Sequence, residues 1–535
     1  MSAPDPAPPS GKPRRSGGAA FFVALGILLS RLIGLIRQRI FAKYLGLSDA
    51  ADVYTVAFRI PNFLQNLFGE GALSASFIPV YAGLLAQGRR DEARRVAGAV
   101  VTILGFVVAL IVLAGVLGTP QLMSVIAPGY TGAKRELGIT LVRIFFPGAG
   151  LLVLSAWCLG VLNSHRSFLV PYAAPVMWNL AIIFALIWQG PNGVPEQIAI
   201  WAAWGSVIGS GLQLLVQLPL VRLLAGSMRP GLGRGNAEVR SVVGNFLPAF
   251  ISRGVTQISA YVDSIIATLL PTGAAAALGS AQMIYTLPVS LFGMSVSAAE
   301  LPAMSGAVGS AEEVAAHLRR RLDAGLRRIA FLVVPSAMAF LTLGGVIAAA
   351  LFQSGHFTAE DSRYVWGILA GSAVGLLAGT LGRLYASASY ALRDTRTPLA
   401  FAIIRVLLTV ALGLGAALWL PHLVGVEDRW GAAGLTASAG VAGWVEFVLL
   451  RLAINRRIGR TGIPFTYLVR LWSAALVAAG VAWGVRWLLG PFSPIPQAIL
   501  VLGVYGVSYL ALALLFGVSE VSEVTGRVSS IIRRQ

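Results

Sequence analysis

Six charged residues lie inside what hydropathy predicts to be the first two membrane-spanning helices: Arg31, Arg37, Arg39, Asp52, Arg59 and Glu70. A charged side chain at the bilayer centre costs about 3 kcal/mol or more, so such residues face a water-filled cavity or a charged partner. At about 100° of rotation per residue, one stripe about 40° wide on the second helix holds Asp52, Arg59, Asn66 and Glu70. The pattern predicts a polar pathway along an otherwise apolar helix.

Arginines on the first helix favour an anionic partner. Arg31 and Arg37 share an arc of about 120° with Gly34 and Gln38, whereas Arg39 points away. Planar guanidinium groups bind phosphate through paired hydrogen bonds, so this face is predicted to bind a phosphate-bearing substrate. The competing interpretation is that Arg37 and Arg39 extend to the outer interface of the bilayer from a shorter helix.

Acidic residues are the candidates for coupling to a gradient. Asp52 lies near the outer end of the second helix and is predicted to pair with an arginine of the first, with a purely structural ion pair as the alternative. Glu70 lies deeper, and Arg253 and Asp263 share one side of the seventh predicted helix. We expect Asp52, Glu70 and Asp263 to sense an ion or voltage gradient. The predicted substrate-binding residues are Arg31, Arg37, Asp52, Arg59, Glu70 and Arg253.

Catalytic and metal-binding signatures are absent from the sequence. No His-Glu-x-x-His occurs, no phosphate-binding loop follows a strand, and the four histidines lie in predicted loops, solvated and without ligand spacing. The single cysteine, Cys158, excludes an intrachain disulfide. We therefore expect no catalytic residue, no metal and no cofactor. The energy would come from the membrane potential, a monovalent cation or the gradient of the substrate itself.

The elements that position these residues are predicted to be membrane helices. Of 535 residues, 56% are hydrophobic and only 12% are charged, a composition typical of a polytopic membrane protein. Apolar spans predict an all-α fold of fourteen helices. The spans lie near residues 19–42, 53–83, 97–127, 137–162, 168–189, 197–221, 241–270, 274–306, 329–353, 364–390, 398–420, 430–451, 466–489 and 496–516.

The charge distribution predicts the orientation of the chain. A net charge of +19 would favour nucleic acid as the partner of a soluble protein. Here the basic residues cluster in alternate loops, as the positive-inside rule requires of cytoplasmic segments. Both termini are therefore predicted to be cytoplasmic, with Lys134 and Arg135 as the main exception on the outer side. We expect the basic loops to contact anionic membrane lipids and no nucleic acid.

An internal repeat divides the predicted helices. Three matches recur at an offset of roughly 222 to 230 residues. Ser30-Arg31 recurs as Ser252-Arg253, and Phe68-Gly69 with Pro79 recurs as Phe292-Gly293 with Pro302. The segment NSHRSF at 163 matches LRDTRTP at 392. Two six-helix lobes in parallel repeat follow, at 19–222 and 241–456, and a last helix pair lies at 463–516. Cytoplasmic tails are expected at 1–18, where the composition predicts disorder, and at 517–535. Such a plan places a substrate site between the lobes.

Five segments carry a family resemblance: SRLIGLIRQ at 30, ADVYTVAFRIPNFLQNLFGEGALSASFIPVY at 51, LNSHRSFLVPYAAPVMWNL at 162, FLPAFISRGVTQISAYVDSIIATLLPTG at 246 and YALRDTRTP at 390. They resemble the bacterial lipid II flippases of the MurJ/MviN type, in the multidrug/oligosaccharidyl-lipid/polysaccharide (MOP) exporter superfamily. The resemblance covers about the first 460 residues.

The resemblance implies a transporter and not an enzyme. Such a protein would carry the lipid-linked peptidoglycan precursor from the cytoplasmic to the outer leaflet of the plasma membrane by alternating access. Two lobes would enclose a cationic cavity, and the last two helices would form a hydrophobic groove for a polyprenyl tail. Arg31 and Arg37 match the family's cavity arginines, Asp52 its second-helix aspartate and Glu70 the acid of its Phe-x-Glu-Gly motif.

The chain also departs from the family pattern. Gln38 stands where an acid is usual, and Met283 stands where the eighth helix commonly carries an arginine. The sequence thus predicts that one cavity cation is missing, with Arg253 as a hypothetical substitute. Isolated charges near span ends are assigned to interface or interhelical contacts; they are Arg143, Arg383, Arg405, Glu300 and Glu446.

The leading prediction is a flippase for lipid II, whose partner is the lipid-linked saccharide pyrophosphate. An exporter of another undecaprenyl-linked saccharide is the nearest alternative. A degenerate, non-transporting scaffold for envelope synthesis and, more weakly, an integral-membrane glycosyltransferase stay open. We expect a monomer in the plasma membrane that works beside the cell-wall synthesis machinery.

Overall fold

A computed structural model describes residues 16–521 except 229, 234, 260, 307, 308 and 491; the side chains of 16–24, 69–71, 249 and 251–259 also lie outside the description. Within these limits the chain is helical, since the described residues form no strand and one isolated bridge pairs Ser354 with Phe357. Of the two predicted tails, residues 1–15 and 522–535 lie outside the described part.

The helices of the first part of the chain run up to Ser259. They are α1 (Ser16–Leu45), α2 (Asp49–Ala57), α3 (Arg59–Gln65), the π-helical stretch Asn66–Leu73, α4 (Ser74–Ala86), α5 (Arg90–Leu117), α6 (Thr119–Ile126), α7 (Gly132–Ser164), α8 (Leu169–Ala173), α9 (Pro175–Gln189), α10 (Pro195–Ala225) and α11 (Ala237–Ser259).

The second part begins at Val262. Its helices are α12 (Val262–Ala267), α13 (Ala274–Pro288), the π-helical stretch Val289–Met294, α14 (Ser295–Ser305), α15 (Ala311–Thr342), α16 (Gly344–Phe352), α17 (Ala359–Ala391), α18 (Arg396–Leu414), the π-helical stretch Gly415–Trp419, α19 (Leu420–Val424), the 3₁₀ turn Asp428–Trp430, α20 (Gly431–Ile458), α21 (Phe465–Leu489) and α22 (Pro494–Leu515).

The predicted membrane spans are present as helices. Among the described residues, eleven helical segments are long and apolar enough to cross a membrane. The three remaining predictions correspond to α1, to the interrupted segment from α2 to α4, and to α11 with α12. The predicted all-α polytopic fold is confirmed, and all fourteen predicted spans are accounted for.

The second span is not one regular helix. Helix α2 ends at Ala57, α3 begins at Arg59, and a π-helical stretch separates α3 from α4. Pro61 has no N–H to donate to the carbonyl of Ala57, which weakens the helix at this junction. A π-helical turn also changes the rotation per residue. The 40° stripe was calculated for one regular helix, whereas Asp52, Arg59 and Glu70 lie in three different elements, so the stripe stays a prediction.

A π-helical interruption recurs in the second half at the predicted repeat position. Phe68-Gly69 lies in the stretch Asn66–Leu73, and Phe292-Gly293 lies in the stretch Val289–Met294. Each stretch is followed by an α-helix that contains a proline, Pro79 in α4 and Pro302 in α14. The repeat is thus visible in the backbone as well as in the sequence.

Two tight turns give a second, independent match between the halves. Arg166 and Arg393 are the described non-glycine residues with positive φ, and both have φ of 59°. After α7, the N–H of Arg166 donates to Asn163 and that of Ser167 to Leu162; after α17, Arg393 donates to Tyr390 and Asp394 to Ser389. This double hydrogen-bond pattern closes a helix around a left-handed residue, normally glycine. Both halves use arginine there.

The chain divides into two compact units, which are described separately. Unit 1 is Met1–Ile40, Ala57–Leu122 and Gly138–Ile258; unit 2 is Phe41–Val56, Met123–Leu137 and Ser259–Gln535. Unit 2 therefore includes α2 and the stretch around Lys134 together with the second half of the chain. The lobe limits at 19–222 and 241–456 stay a prediction.

Within unit 2, tyrosine hydroxyls attach the last two helices to α15. Pro335 lies inside α15 and leaves the carbonyl of Phe331 without its usual intrahelical N–H. The hydroxyl of Tyr509, from α22, donates to that carbonyl at 2.7 Å. One turn earlier, Tyr467 of α21 donates to the carbonyl of Arg327 at 3.4 Å. A proline in one helix thus creates the acceptor that another helix binds.

Candidate functional site

The first-helix arginine Arg37 lies on an aromatic surface within unit 1. Its guanidinium carbon is 4.8 Å from the centre of the Phe58 ring. Phe58 in turn stacks on Trp178 at 5.2 Å and an interplanar angle of 6°, and it meets Phe145 edge-on at 5.6 Å. A cation–π contact occupies the face of a guanidinium and leaves its N–H donors directed along its plane. We call Phe58, Trp178 and Phe145 the aromatic platform.

The platform is itself fixed by a hydrogen bond. The ring N–H of Trp178, in α9, donates to the hydroxyl of Ser206, in α10, at 2.9 Å. Both residues are buried, so an unpaired indole N–H there would cost about 1 to 3 kcal/mol. The platform and Arg37 above it are therefore held by contacts from several helices, which is the preorganisation that a binding site needs.

The other predicted arginines of unit 1 are placed as follows. Arg59 is half-buried and directly follows Phe58, whose ring contacts Arg37, in the chain. Arg31 is exposed on α1, two turns before Arg37. The structure thus brings Arg37 and Arg59 to one part of unit 1, and α1 carries Arg31 towards its other end.

The side chains of Glu70 and Arg253 lie outside the described residues. Their backbones belong to the π-helical stretch Asn66–Leu73 and to α11. These two elements are neighbours, because Phe68 packs against Phe250 with ring centres 5.0 Å apart. Helix α11 ends at Ser259 and Asp263 lies in the separate helix α12, so the common side predicted for Arg253 and Asp263 stays a prediction.

Asp52 is bound within unit 2 by the start of α13 and by a lysine. Only 2% of Asp52 is exposed. One carboxylate oxygen accepts the N–H of Ala276 at 2.9 Å, and the other accepts the N–H of Gly273 at 2.8 Å and the ammonium of Lys134 at 2.9 Å. The prediction that Asp52 pairs with a first-helix arginine is therefore wrong. The backbone donors of a helix start and a nearer lysine satisfy its charge.

The local sequence explains this arrangement. The first N–H groups of a helix have no intrahelical acceptor and attract negative charge. Gly273, just before α13, has φ of +90°, and a Cβ on it would lie 2.9 Å from the carbonyl oxygen of Leu47. Glycine therefore lets α13 approach the chain that precedes Asp52. The same cluster includes Asp49, which binds Lys134 at 2.7 Å and the hydroxyl of Thr272 at 2.7 Å.

Lys134 is the member of this cluster that the sequence did not assign. It was the exception to the charge rule, a basic residue in a predicted outer loop. Its exposed fraction is only 17%, and it lies between two carboxylates and 4.6 Å from the ring centre of Tyr130. The exception therefore has a local cause, because this lysine pairs with the buried Asp52 and with Asp49.

A second group of charges lies within unit 2 around Tyr285. Arg405 of α18 pairs with Glu446 of α20 at 3.3 Å, as the interhelical assignment predicted. Arg383 of α17 interacts electrostatically with both residues and with Tyr285 of α13, and Tyr285 interacts with Asp263. The hydroxyl of Tyr285 lies 3.8 Å from where a Cβ of Gly379 would be, one turn before Arg383. These helices thus bring two arginines to the neighbourhood of Tyr285, on the same helix as Met283. The missing cation at Met283 stays a prediction.

The described residues contain no group of three or more His, Cys, Asp or Glu side chains able to hold a metal ion. Cys158 is fully buried. The histidines are not all solvated as predicted, since His165 shares a hydrogen bond of 2.9 Å with the hydroxyl of Tyr81 and His317 contacts the carbonyl of Ala303 at 3.2 Å. Burial and the charge of Arg90 lower the pKa of His165, which lies in the turn after α7.

The chain matches the family described as lipid II flippase MurJ over residues 41–503. The chain belongs to this family. A lipid II flippase MurJ from Burkholderia cenocepacia is 32% identical over 465 residues, which cover 85% of this chain and 87% of that protein. This MurJ-family chain is therefore a multi-pass membrane protein.

Solved structures confirm the fold of the family. A lipid II flippase MurJ in an inward closed conformation superposes with a TM-score of 0.75, covering 93% of this chain and 98% of that one at 22% identity. An inward-facing multidrug resistance MATE transporter of the MOP superfamily gives a TM-score of 0.62, covering 82% of this chain at 16% identity. The MurJ-family chain thus has the MOP transporter fold that the resemblance implied.

Proposed function

We propose that this chain is a flippase that moves lipid II, the undecaprenyl-linked peptidoglycan precursor, from the cytoplasmic to the outer leaflet by alternating access. One observation carries the proposal. In a chain whose residues 41–503 match lipid II flippases, Arg37 lies on an aromatic platform among apolar helices, and Arg59 directly follows the platform residue Phe58 in the chain. Guanidinium groups fixed in this way suit the diphosphate that joins sugar to lipid.

The substrate-binding roles divide by environment. Arg31, Arg37, Arg59 and Arg253 supply positive charge for the diphosphate, and Glu70 contacts the polar head group. Asp52 acts indirectly, because each of its carboxylate oxygens already accepts a hydrogen bond within unit 2. Its proposed role is to position the start of α13.

Transport needs an energy source, and no cofactor is proposed. A membrane potential or a monovalent cation would act on the acidic residues Asp52, Glu70 and Asp263, of which Asp52 already contacts the ammonium of Lys134. Moving one charge across the membrane is worth about 2.3 kcal/mol per 100 mV, which is enough to bias a two-state transporter.

The basic loops support a placement of both termini in the cytoplasm of a bacterial cell, with the chain in the plasma (inner) membrane. We propose a monomer that receives its substrate beside the cell-wall synthesis machinery. An exporter of another undecaprenyl-linked saccharide is the second candidate, because Met283 and Gln38 depart from the family pattern and would contact a different head group.

Complementation tests the proposed function. In a bacterium depleted of its own lipid II flippase, the wild-type chain is expected to restore growth. The Arg37→Ala variant is expected not to restore growth. Arg39→Ala is the matched control, since it removes an equal charge two residues away on the predicted opposite side of the same helix. Failure of an expressed and inserted wild-type chain would reject lipid II as the substrate and favour the second candidate.

A further inference from the structure

A pocket of about 360 Å³ lies within unit 2 beside the first half of α15. Its lining consists of Arg320, Asp323, Ala324, Arg327, Arg328 and Glu520. The first five lie on one face of α15, since residues three and four apart on a helix are neighbours. Glu520 comes from the chain after α22. The volume falls within the range of small-molecule sites.

The two acids of the pocket already have partners. Asp323 accepts the N–H of Gly462 at 2.9 Å. Glu520 accepts the hydroxyl of Ser519 at 3.1 Å and interacts electrostatically with Tyr467. Three arginines against two carboxylates leave the lining of the pocket with a net positive charge.

The three arginines have different surroundings. Arg328 faces Glu300 at 3.7 Å, and Arg327 lies 5.7 Å from the ring centre of Tyr467. Arg320 is exposed and makes no hydrogen bond or ion pair with any other residue that the structure describes. Three guanidinium groups therefore line one pocket, and clustered guanidinium groups are suited to binding phosphate.

Apolar side chains lie next to this pocket in the chain. Leu515 and Phe516, just before the segment that carries Glu520, are 79% and 37% exposed, and Val469 of α21 is 45% exposed. The guanidinium of Arg470 lies 3.9 Å from where a Cβ of Gly517 would be, which brings this part of α21 to the end of α22. A ligand bound here would meet positive charge at one end and exposed hydrocarbon at the other.

We propose that this pocket binds the glycerophosphate head group of an anionic membrane lipid, with its acyl chains along α21 and α22. The ligand carries a glycerol phosphate group, which a lipid could supply as a phosphate diester and soluble glycerol phosphate as a monoester, and the exposed apolar flank favours the lipid. The head group would bridge α15 and the end of the chain. The proposal is independent of which substrate the protein transports.

The test measures lipid binding by the detergent-purified full chain, using native mass spectrometry and thermal unfolding. Phosphatidylglycerol is compared with zwitterionic phosphatidylcholine. The double variant Arg320→Gln with Arg327→Gln is expected to bind phosphatidylglycerol about thirtyfold more weakly, because loss of each arginine near a lipid surface weakens binding about fivefold. Phosphatidylcholine binding is expected to stay unchanged.

A matched double variant, Arg222→Gln with Arg240→Gln, removes two exposed arginines from basic loops outside the pocket and is expected to change binding less than about twofold. Ala324→Trp fills the pocket at unchanged charge and is expected to weaken phosphatidylglycerol binding as well. Equal losses in the pocket and control variants would overturn the proposal. Soluble glycerol phosphate that binds as tightly as phosphatidylglycerol would identify a soluble ligand and overturn the lipid assignment.

Discussion

The carboxylate of Asp52 shows how burial decides what an ionised residue can do. Its spacing from the arginines of α1 predicted a partner across a cavity, yet its oxygens accept N–H groups from the start of α13 and the ammonium of Lys134. A buried carboxylate takes the nearest donors that repay its desolvation. Here those donors come from backbone that is remote in sequence.

Replacement of Asp52 by alanine is expected to destabilise the protein. Asp52→Ala leaves the N–H groups of Gly273 and Ala276 without their acceptor and removes a buried partner of Lys134. Breaking one side of a buried charge pair costs about 3 to 5 kcal/mol. The measurement is thermal unfolding of the purified chain in detergent.

Asp49→Ala is the control for that change. Asp49 binds the same lysine, but its side chain is 54% exposed, and exposed ion pairs contribute about 1 kcal/mol or less. A similar loss of stability in both variants would contradict the assignment of Asp52 as the buried member of the cluster.

What the sequence could predict at the residue scale was the identity of the charged positions, not their partners. Arg37, Arg59 and Asp52 stand out because charge in an apolar run is costly. The aromatic platform under Arg37 was out of reach, since Phe58, Trp178 and Phe145 come from three distant segments. Lys134 carried a usable signal, because it broke the charge rule of its loop.

At the scale of elements, interruptions of helices carry as much information as helices. The spans were predictable from hydropathy, since about 20 apolar residues are needed to cross a bilayer. The three π-helical stretches were not, because a π-helical turn depends on packing around the helix. Pro61, by contrast, marks the break near Phe58 in the sequence itself.

Helix α15 permits a test of the hydrogen bond between Tyr509 and the carbonyl of Phe331, which Pro335 leaves without an intrahelical donor. Tyr509→Phe removes the donor to the carbonyl of Phe331 and is expected to cost about 1 to 2 kcal/mol. Pro335→Ala restores an N–H that can bind the same carbonyl. The cost of Tyr509→Phe is therefore expected to shrink in the Pro335→Ala background, as a double-mutant cycle measured by thermal unfolding would show.

The comparison variant for this cycle is Tyr364→Phe. Its hydroxyl donates to the carbonyl of Arg429 at 2.7 Å, away from the Phe331 carbonyl that Pro335 leaves open. Its cost should be the same with and without Pro335→Ala. Strict additivity for Tyr509→Phe would show that the Phe331 carbonyl is not the source of its effect.

At the scale of the whole molecule, composition alone was sufficient for the class of protein, and the charge bias supplied an orientation that can be measured. Cys158 is fully buried, so the wild-type chain is expected to be inert to a membrane-impermeant thiol reagent. This inert background permits single engineered cysteines on exposed loops.

Asn192→Cys lies in a loop predicted to face outwards, and Gln87→Cys lies beside a basic loop predicted to face the cytoplasm; both positions are exposed. We expect labelling of Asn192→Cys in intact cells and labelling of Gln87→Cys only after permeabilisation, because Lys and Arg are retained on the cytoplasmic side. The reverse pattern would invert the proposed topology.

The turns at Arg166 and Arg393 have a consequence for the history of the chain. A left-handed arginine costs about 1 kcal/mol more than glycine at the same position, and each half carries that cost at an equivalent helix end with the same hydrogen bonds. Independent origin would require the same unfavourable choice twice. Descent of both halves from one duplicated ancestral segment requires the unfavourable arginine to arise only once, so the two equivalent turns favour a duplication.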